Sequence, residues 1–333
     1  MSLTLDTLHD DVPDPLRHEI AAFLETAEGN PCPAESWLRR MQHWWTTNPA
    51  LDAHPLRGWL QRDDHQRVIG FMAAIPSWSS WQGRRIPMIC PASWRVAQEH
   101  RGTSVQMLLK LRELKRTVGM VDSTPGPIVR PLLEKIGFSS LEAGIGHVFV
   151  TGRLLGPLAA MLGGIRGGYP PLQPQRRLVF DVAEVAAIER PFMRSARVEK
   201  WIDLDYLRWT QDAPCLRPRF IGVVDQQGTL SSYLMLQEHE LKGHPAWLAV
   251  DWFTTSEDMN EVLAALGQIC FQPSLLTDER RFIEIMALGP TSAWHKAPAL
   301  VRVKRPSKLY FSLPPSLENA ERRSVLLDGD YGM

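Results

Sequence analysis

The stretch Ser93-Trp-Arg-Val-Ala-Gln-Glu-His-Arg-Gly-Thr-Ser-Val105, with Leu132-Leu-Glu-Lys-Ile-Gly-Phe138 after it, decides the fold of this chain. The first segment predicts a strand that ends in a tight turn and opens a helix. Such a turn leaves several backbone N–H groups without partners, and the helix dipole favours an anion beside them. We therefore expect an anion such as a pyrophosphate to bind at this turn.

The sequence on both sides of this stretch alternates between helical and strand patterns. Apolar spacing predicts two helices at the start, then a three-stranded antiparallel meander, then a helix, a short buried strand, a second helix and a final strand. The predicted ranges are helices 15–27, 34–45, 105–117 and 124–135, and strands 57–61, 67–76, 84–96, 119–123 and 144–150.

Glycine and proline between positions 156 and 174 indicate a boundary, and a second unit with an echo of the first pattern follows it. We assign residues 1–152 to one domain, 153–174 to a linker and 175–333 to a second domain. In the second, helices are predicted over 198–209 and 256–271, with strands over 220–224, 230–236, 246–252 and 281–286. The Gln82-Gly83 turn matches Lys242-Gly243, which suggests an internal duplication.

Composition excludes several classes of function. Lys plus Arg and Asp plus Glu both number 37, so net charge gives no argument for nucleic acid or an anionic membrane. The four cysteines lack the spacing of a zinc site or a disulfide framework, and a metal is not expected. The N-terminus lacks a secretory signal, and the most apolar window, 154–165, is too short to cross a bilayer. These features predict a cytoplasmic protein without an integral membrane segment.

Three segments carry a family resemblance: Val68-Ile-Gly-Phe71, Val96-Ala-Gln-Glu-His-Arg-Gly102 leading into Leu108-Leu109, and Leu133-Glu-Lys-Ile-Gly-Phe138. With them the first half resembles a GNAT-superfamily acyltransferase, and the whole chain resembles a tandem-GNAT protein with a degenerate second domain. The resemblance implies an α/β (α+β) fold of two GNAT-like domains. Each domain would have a mixed, mostly antiparallel central sheet flanked by helices.

The resemblance also implies a co-substrate, acetyl-CoA or another acyl-CoA. The family wraps its pyrophosphate with the backbone after the fourth strand and threads the pantetheine arm between the fourth and fifth strands. The matching positions are Val96, Arg101, Gly102, Thr103, Ser104, Val105 and Gln106. This chain departs from the family where Ser104 and Gln106 replace small residues. It departs again where Leu133 replaces the tyrosine that protonates the departing thiolate.

An amine must lose a proton before it attacks a thioester, so the reaction needs a base. The candidates for this role are Asp122, Ser123 acting through water, Glu99 and His100, although Glu99 and His100 suit a solvated turn equally well. Gly102 is expected to need a positive φ. The tail at 326–330 is expected to form a final strand and a solvated turn, the alternative being that its carboxylates serve an amine substrate.

Three functions remain open on the sequence. The first is an acyl-CoA-dependent N-acyltransferase acting on a small-molecule or peptide amine. The second is a non-catalytic tandem GNAT that binds an acyl thioester or a protein partner. The third is an aminoacyl transferase of the peptidoglycan-synthesis type, which neutral charge disfavours because a tRNA donor needs a basic face. We expect no nucleic-acid partner, and a homodimer is compatible with the sequence.

Overall fold

The computed structural model describes residues 3–26, 32–152, 169–189, 197–255, 259–276, 280–288, 294, 299 and 301–328. The side chains of residues 142–144 and 305–307 are outside this description. Most of the predicted linker, from 153 to 168, also lies outside the described residues. In the described part of the chain, no helix is long and apolar enough to cross a membrane.

Six α-helices are named here in chain order. They are α1 Asp14–Thr26, α2 Ala34–Trp45, α3 Val105–Leu114, α4 Arg130–Lys135, α5 Leu204–Gln211 and α6 Asn260–Phe271. The strands are β1 Thr4–His9, β2 Leu56–Arg62, β3 Val68–Trp81, β4 Arg84–Val96, β5 Gly119–Asp122, β6 Ser139–Val150, β7 Arg177–Val179, β8 Ala187–Ile188, β9 Glu199–Lys200, β10 Arg219–Val224, β11 Thr229–Leu241, β12 His244–Thr254, β13 Phe282–Leu288 and β14 Val301–Ser312.

The described strands form one sheet of 14 strands. Along its main path the order is β1-β2-β3-β4-β5-β14-β6-β13-β12-β11-β10-β7, with β8 beside β11 and β9 beside β3. Most pairs are antiparallel, but β4 with β5, β12 with β13 and β8 with β11 are parallel. The sheet therefore consists of two halves of the same design, and the predicted fold class is confirmed.

The two halves are joined by an exchange of strands. Strand β14, from the C-terminal part of the chain, lies between β5 and β6 and pairs antiparallel with both. In return β6 pairs with β13 of the second half. Each half-sheet thus contains one strand from beyond the predicted linker, so neither half completes its sheet alone.

The duplication is visible in the two long hairpins. The β3–β4 turn has positive φ at both central residues, 50° at Gln82 and 79° at Gly83. The β11–β12 turn repeats this, with 51° at Lys242 and 82° at Gly243. Two positive φ angles define the turn whose twist matches that of paired strands. The Gln82-Gly83 and Lys242-Gly243 turns, which match in the sequence, therefore have the same backbone conformation.

Two sequence predictions are wrong here. The helix predicted over 198–209 begins only at Leu204, because Asp203 caps it by accepting a hydrogen bond from the Tyr206 N–H, while β9 precedes it as a strand beside β3. The tail is not a strand and solvated turn: residues Leu326–Asp328 form a buried 3₁₀ turn. Strands β1, β7, β8 and β14 were not predicted.

The two faces of the sheet are covered differently. On one face, α1, α2 and α5 share a single apolar core that runs through both halves and includes Trp44 and Leu207. On the other face, α3 and α4 cover the first half around Met107 and Leu133, and α6 covers the second half around Leu266. A site that used both faces of the first half would need an opening in the sheet between them.

Candidate functional site

Strands β4 and β5 separate after a very short contact. Among the described residues, their pairing is confined to Met88 with Gly119 and Ile89 with Met120. Strand β4 then continues to Val96, still paired with β3, through a register shift and a positive φ of 51° at Ser93. A bulge of this kind bends a strand and ends pairing on one side. The end of the β4–β5 pairing therefore has a local cause, whereas the opening expected beside Val96 stays a prediction.

The segment after β4 is wound more tightly than the sequence predicted. Residues Gln98–Ser104 form a 3₁₀ helix that continues directly into α3, and the His100 N–H donates to the Ala97 carbonyl at 2.9 Å. Internal bonds of this type use N–H groups that an open turn would have left for an anion. Fewer amides face a ligand here than the predicted turn offered.

A buried glutamine fastens this segment to the sheet. The Gln61 side chain donates to the Thr103 carbonyl at 3.0 Å and to Gln106 Oε1 at 3.3 Å. In return the Thr103 hydroxyl donates to Gln61 Oε1 at 3.1 Å. Gln61 itself is fully buried on β2. The Gln106 side chain is thus held against Gln61, which accounts for a glutamine where the related family has a small residue.

The predicted cofactor residues lie together on this segment. Arg101, Gly102 and Val105 are exposed, whereas Val96, Thr103, Ser104 and Gln106 are half-buried. The positive φ expected at Gly102 is wrong: the structure has none there, and a Cβ at this position would meet no atom within 4 Å. The space beside Gly102 is therefore open in the free protein.

The base candidates are separated. Glu99 is exposed on the 3₁₀ turn, whereas Asp122 ends β5 and its Oδ1 accepts a hydrogen bond from the Thr124 N–H at 3.1 Å. Ser123 follows directly, is 3% exposed, and its Oγ has no hydrogen-bond partner. The structure therefore brings Asp122 and Ser123 to the strand end beside the gap and leaves Glu99 on the surface.

Leu133 is part of the apolar core on the α3–α4 face, and a tyrosine from the exchanged strand shares that core. The Tyr310 hydroxyl donates to Glu134 Oε1 at 2.8 Å. Burial and the neighbouring carboxylate raise the pKa of Tyr310 to about 12. A tyrosine thus stands beside α4, although it comes from β14 rather than from the helix.

A mostly apolar cavity lies on the opposite face of the sheet, where the two halves meet. Its wall is mostly apolar and aromatic, and its polar groups come from β9, α5 and the tail. The lining residues are Asn48, Pro49, Ala50, Ile75, Pro76, Ser77, Trp78, Ser79, Cys90, Lys200, Trp201, Asp203, Tyr206, Trp209, Arg322, Leu327 and Asp328.

The gap between β4 and β5 begins at this cavity. Ile89, the last β4 residue paired with β5, packs on the α3–α4 face, and the next residue, Cys90, lines the cavity. Successive strand residues point to opposite faces. The Cys90 thiol donates to the Asp328 carbonyl at 3.1 Å, so the tail lies over this point. A chain that entered the gap from the α3–α4 face would emerge beside Cys90 and Asp328.

A buried charged cluster, Lys200, Asp251, Arg322 and Asp328, lies at and behind the cavity wall. The Lys200 ammonium donates to the Leu327 carbonyl at 2.6 Å and lies 3.5 Å from Asp328 Oδ1 and 3.7 Å from Asp251 Oδ2. Arg322 pairs with Asp328 at 3.1 Å, both side chains being at most 2% exposed. Buried charges persist only when paired and hydrogen-bonded, as these are.

Burial raises the pKa of Asp251, an effect that the Lys200 ammonium opposes. Two tyrosine hydroxyls donate to Asp251 Oδ2, Tyr206 at 2.7 Å and Tyr233 at 3.1 Å. Burial and this carboxylate raise the pKa of both tyrosines well above its usual value. The Tyr206 hydroxyl also accepts a hydrogen bond from Lys200 at 2.8 Å. Asp251 and the tyrosines thereby hold the Lys200 ammonium in place.

Sequence reasoning missed most of this cluster, because Lys200, Asp251 and Arg322 stand in no motif. Only the tail carboxylate was considered, as the less favoured alternative, and it is the one that the structure places at the cavity. Its signal was an acidic residue within an apolar run, Leu326-Leu-Asp328.

An open groove adjoins the cavity and shares Pro49 and Trp209 with it. Where they meet, the His43 ring stacks on Trp209 with centroids 4.4 Å apart, and the Trp209 indole N–H donates to the His43 carbonyl at 2.9 Å. Burial lowers the pKa of His43 to about 4. The ring is therefore neutral near pH 7, and the groove gives a route from solvent to the cavity.

Comparison with solved structures identifies the fold, whereas comparison of the sequence alone finds no match. No family model matches the sequence, and no curated protein matches it. Among solved structures, a probable N-acyltransferase from Enterococcus faecalis is similar with a TM-score of 0.60 at 12% identity, over 93% of this chain and 72% of that one. A GCN5-related N-acetyltransferase from Anabaena variabilis gives 0.56 at 12% identity, over 92% and 72%.

A further similar structure is the N-myristoyltransferase of Saccharomyces cerevisiae with bound myristoyl-CoA and inhibitors. Its TM-score is 0.50 at 12% identity, over 94% of this chain and 81% of that one. Identities this low establish the fold alone. The chain has the GNAT fold, and the likeness extends over both halves.

Proposed function

We propose that this protein is an N-acyltransferase that takes its acyl group from an acyl-CoA and transfers it to an amine held in the cavity. One observation carries the proposal: the β4–β5 pairing ends next to Cys90, which lines a cavity that contains the buried carboxylate of Asp328. The similar structures support the donor, since their names describe N-acyltransferases and one holds myristoyl-CoA.

In this arrangement the two faces of the sheet have separate tasks. The segment from Val96 to Gln106 holds the diphosphate on the α3–α4 side, and the thioester passes through the gap. The aromatic wall of the cavity excludes water from the acyl group, and the acceptor amine enters from the groove beside Trp209. Holding both reactants in one geometry supplies much of the rate enhancement in such reactions.

The base that we assign is Asp328. Its carboxylate lines the cavity, and its Oδ1 accepts no hydrogen bond, although Lys200 lies 3.5 Å away. It takes a proton from the acceptor ammonium, and the free amine attacks the thioester carbonyl. The C–N bond forms and the C–S bond breaks. The nitrogen then loses a second proton, which goes to the departing CoA thiolate. Asp122 and Ser123 remain predicted alternatives at the end of β5.

The test uses purified protein, acetyl-CoA and longer thioesters, and a panel of amines, with free thiol followed over time. We expect thiol release that requires both an acyl-CoA and an amine. Asp328→Asn should lower kcat by about 100-fold or more, the usual size of a general-base contribution, with acyl-CoA binding unchanged. Asp122→Asn is the matched comparison. Loss of kcat in that variant alone would move the base to Asp122.

One observation favours the second function, that of a non-catalytic protein that binds an acyl thioester or a protein partner. The 3₁₀ winding of residues Gln98–Ser104 uses N–H groups that a diphosphate would need, which suits a protein that binds a thioester weakly or not at all. Calorimetry with CoA and acetyl-CoA, together with the thiol-release assay, distinguishes the transferase from the non-catalytic binding protein. If CoA binds and no amine releases thiol, the protein is a binder and the transferase proposal falls.

A further inference from the structure

The cavity wall contains two hydrogen-bond donors that no atom of the described residues accepts. They are Arg322 Nη1 and the Trp78 indole Nε1, and both atoms are buried. The Arg322 side chain is 2% exposed. A buried donor left unsatisfied costs about 1–3 kcal/mol, more when charged, so such groups in native proteins indicate a missing partner.

The geometry of Arg322 defines what kind of partner is missing. Its Nε donates to Ser324 Oγ at 2.8 Å and its Nη2 donates to Asp328 Oδ2 at 3.1 Å, so Nη1 is the guanidinium nitrogen without a partner among the described residues. A guanidinium suits planar oxyanions, above all carboxylates, and a charge-assisted bond of this kind is strong. An ammonium group has no lone pair, so it could satisfy neither Arg322 Nη1 nor the Trp78 N–H.

The rest of the cavity requires a second and a third feature of the ligand. Asp328 Oδ1, on the same ion pair, accepts no hydrogen bond and suits an ammonium group. Trp201, Trp209 and Tyr206 supply an apolar, aromatic wall.

We propose, on the basis of the function proposed above, that the acceptor is an amino acid with a large apolar or aromatic side chain. Its carboxylate binds Arg322 Nη1 with Trp78 Nε1 as the second donor, its amine faces Asp328, and its side chain packs on the tryptophan wall. The small-molecule amine predicted from the sequence thus gains a required carboxylate.

The experiment compares three probes of one size: phenylalanine, phenethylamine, which lacks the carboxylate, and 3-phenylpropionate, which lacks the amine. Acyl transfer is measured as kcat/KM from thiol release with acetyl-CoA, and binding to the free protein is measured by calorimetry. We expect phenylalanine to exceed phenethylamine by about tenfold or more, the effect of one hydrogen bond to a charged group. 3-Phenylpropionate should bind and compete with phenylalanine.

Two outcomes separate this inference from the proposed function. If phenethylamine is acylated as well as phenylalanine, the function stands and the carboxylate requirement is overturned. If no amine is acylated, the function fails, and the calorimetric affinities decide the inference alone. Binding of phenylalanine and 3-phenylpropionate supports it, and failure of both to bind overturns it.

Variants test the donors individually. Arg322→Lys keeps the charge and loses the fork, and it should reduce the phenylalanine preference by about tenfold. Trp78→Phe removes a single N–H from a half-buried ring, so it keeps the inference testable should the arginine variant misfold, and it should reduce the preference by about threefold or more. Trp201→Phe is the control, because its N–H already donates to Asp203 Oδ2 at 2.9 Å. It should change both affinities together and leave their ratio unaltered; an equal ratio change in both tryptophan variants would contradict the role of Trp78.

Discussion

Gly102→Ala separates the two tasks that a glycine can have in this segment. In the free protein, φ at Gly102 is not positive and a Cβ would have no neighbour within 4 Å. Alanine in a helical conformation is more stable than glycine by about 0.5–1 kcal/mol, because the unfolded chain loses less freedom. We expect Gly102→Ala to be slightly stabilising, with a higher urea midpoint and an unchanged slope.

The affinity of Gly102→Ala for CoA should fall, although its stability rises. If the backbone at Gly102 approaches the diphosphate of an acyl-CoA, the added methyl occupies space that the ligand needs. Overpacking of this kind costs about 1–3 kcal/mol, which corresponds to about a 5- to 150-fold rise in Kd. Titration of the variant with CoA by calorimetry, without any acceptor, measures this effect directly.

Gly126→Ala is the matched control. Gly126 also lacks a positive φ and has no atom within 4 Å of a built Cβ, but it lies outside the predicted cofactor segment. It should keep the CoA affinity of the unaltered protein. If the two variants bind CoA equally well, residue 102 does not contact the diphosphate, and the assignment of the whole segment is refuted.

Three further predictions concern stability and pH. Gly119→Ala places a Cβ 2.1 Å from the buried Met88 Sδ, and it should lower the free energy of unfolding in urea by about 1–3 kcal/mol. A change below about 0.5 kcal/mol would contradict a tight β4–β5 contact. Gln61→Ala removes the bonds that fasten the 3₁₀ segment and should cost about 1–3 kcal/mol and weaken CoA binding; equal CoA affinity would show that Gln61 does not shape the site. Folding lowers the pKa of His43 from 6.5 to about 4. As the pH drops from 6.5 to 4, the unfolded chain binds a proton that the folded protein does not, so the free energy of unfolding falls by about 3 kcal/mol. Above pH 6.5 the ring is neutral in both states and this stability is fully present. His43→Phe keeps a ring on Trp209 and should flatten stability over that range, whereas an unchanged pH dependence would place the titration elsewhere.

The elements that the sequence predicted well are those with local causes. Helix α2 and strand β4 have the predicted ends, 34–45 and 84–96, because apolar spacing and the turn at Gln82-Gly83 are properties of neighbouring residues. Strand β14 was missed because its pairing depends on β5 and β6, which lie far away in the sequence. Strand β9 was read as helix for the same reason, since its partner is Ser79–Ser80 of β3.

The same distinction applies to the site. The segment after β4 could be found from its residues, since a strand, a turn and a helix follow one another there. The cavity could not, because its wall comes from five separate parts of the chain: 48–50, 75–79, Cys90, 200–209 and 322–328. The Cys90–Asp328 contact joins residues 238 positions apart. No spacing rule indicates such a contact before the fold is known.

The strand exchange gives this distant contact its rigidity. Strand β14 lies beside β5 in the sheet, and the tail that follows β14 returns across the sheet to the cavity, where Arg322 pairs with Asp328. Both sides of the β4–β5 gap are thus fixed by the C-terminal part of the chain: Tyr310 opposite Asp122 in the sheet, and Asp328 over Cys90. Catalytic geometry needs groups held by packed elements rather than by free loops. The end of the β4–β5 pairing in the first half is thus supported by the C-terminal part of the chain, which gives a physical reason why the two halves of the sheet are joined by exchanged strands.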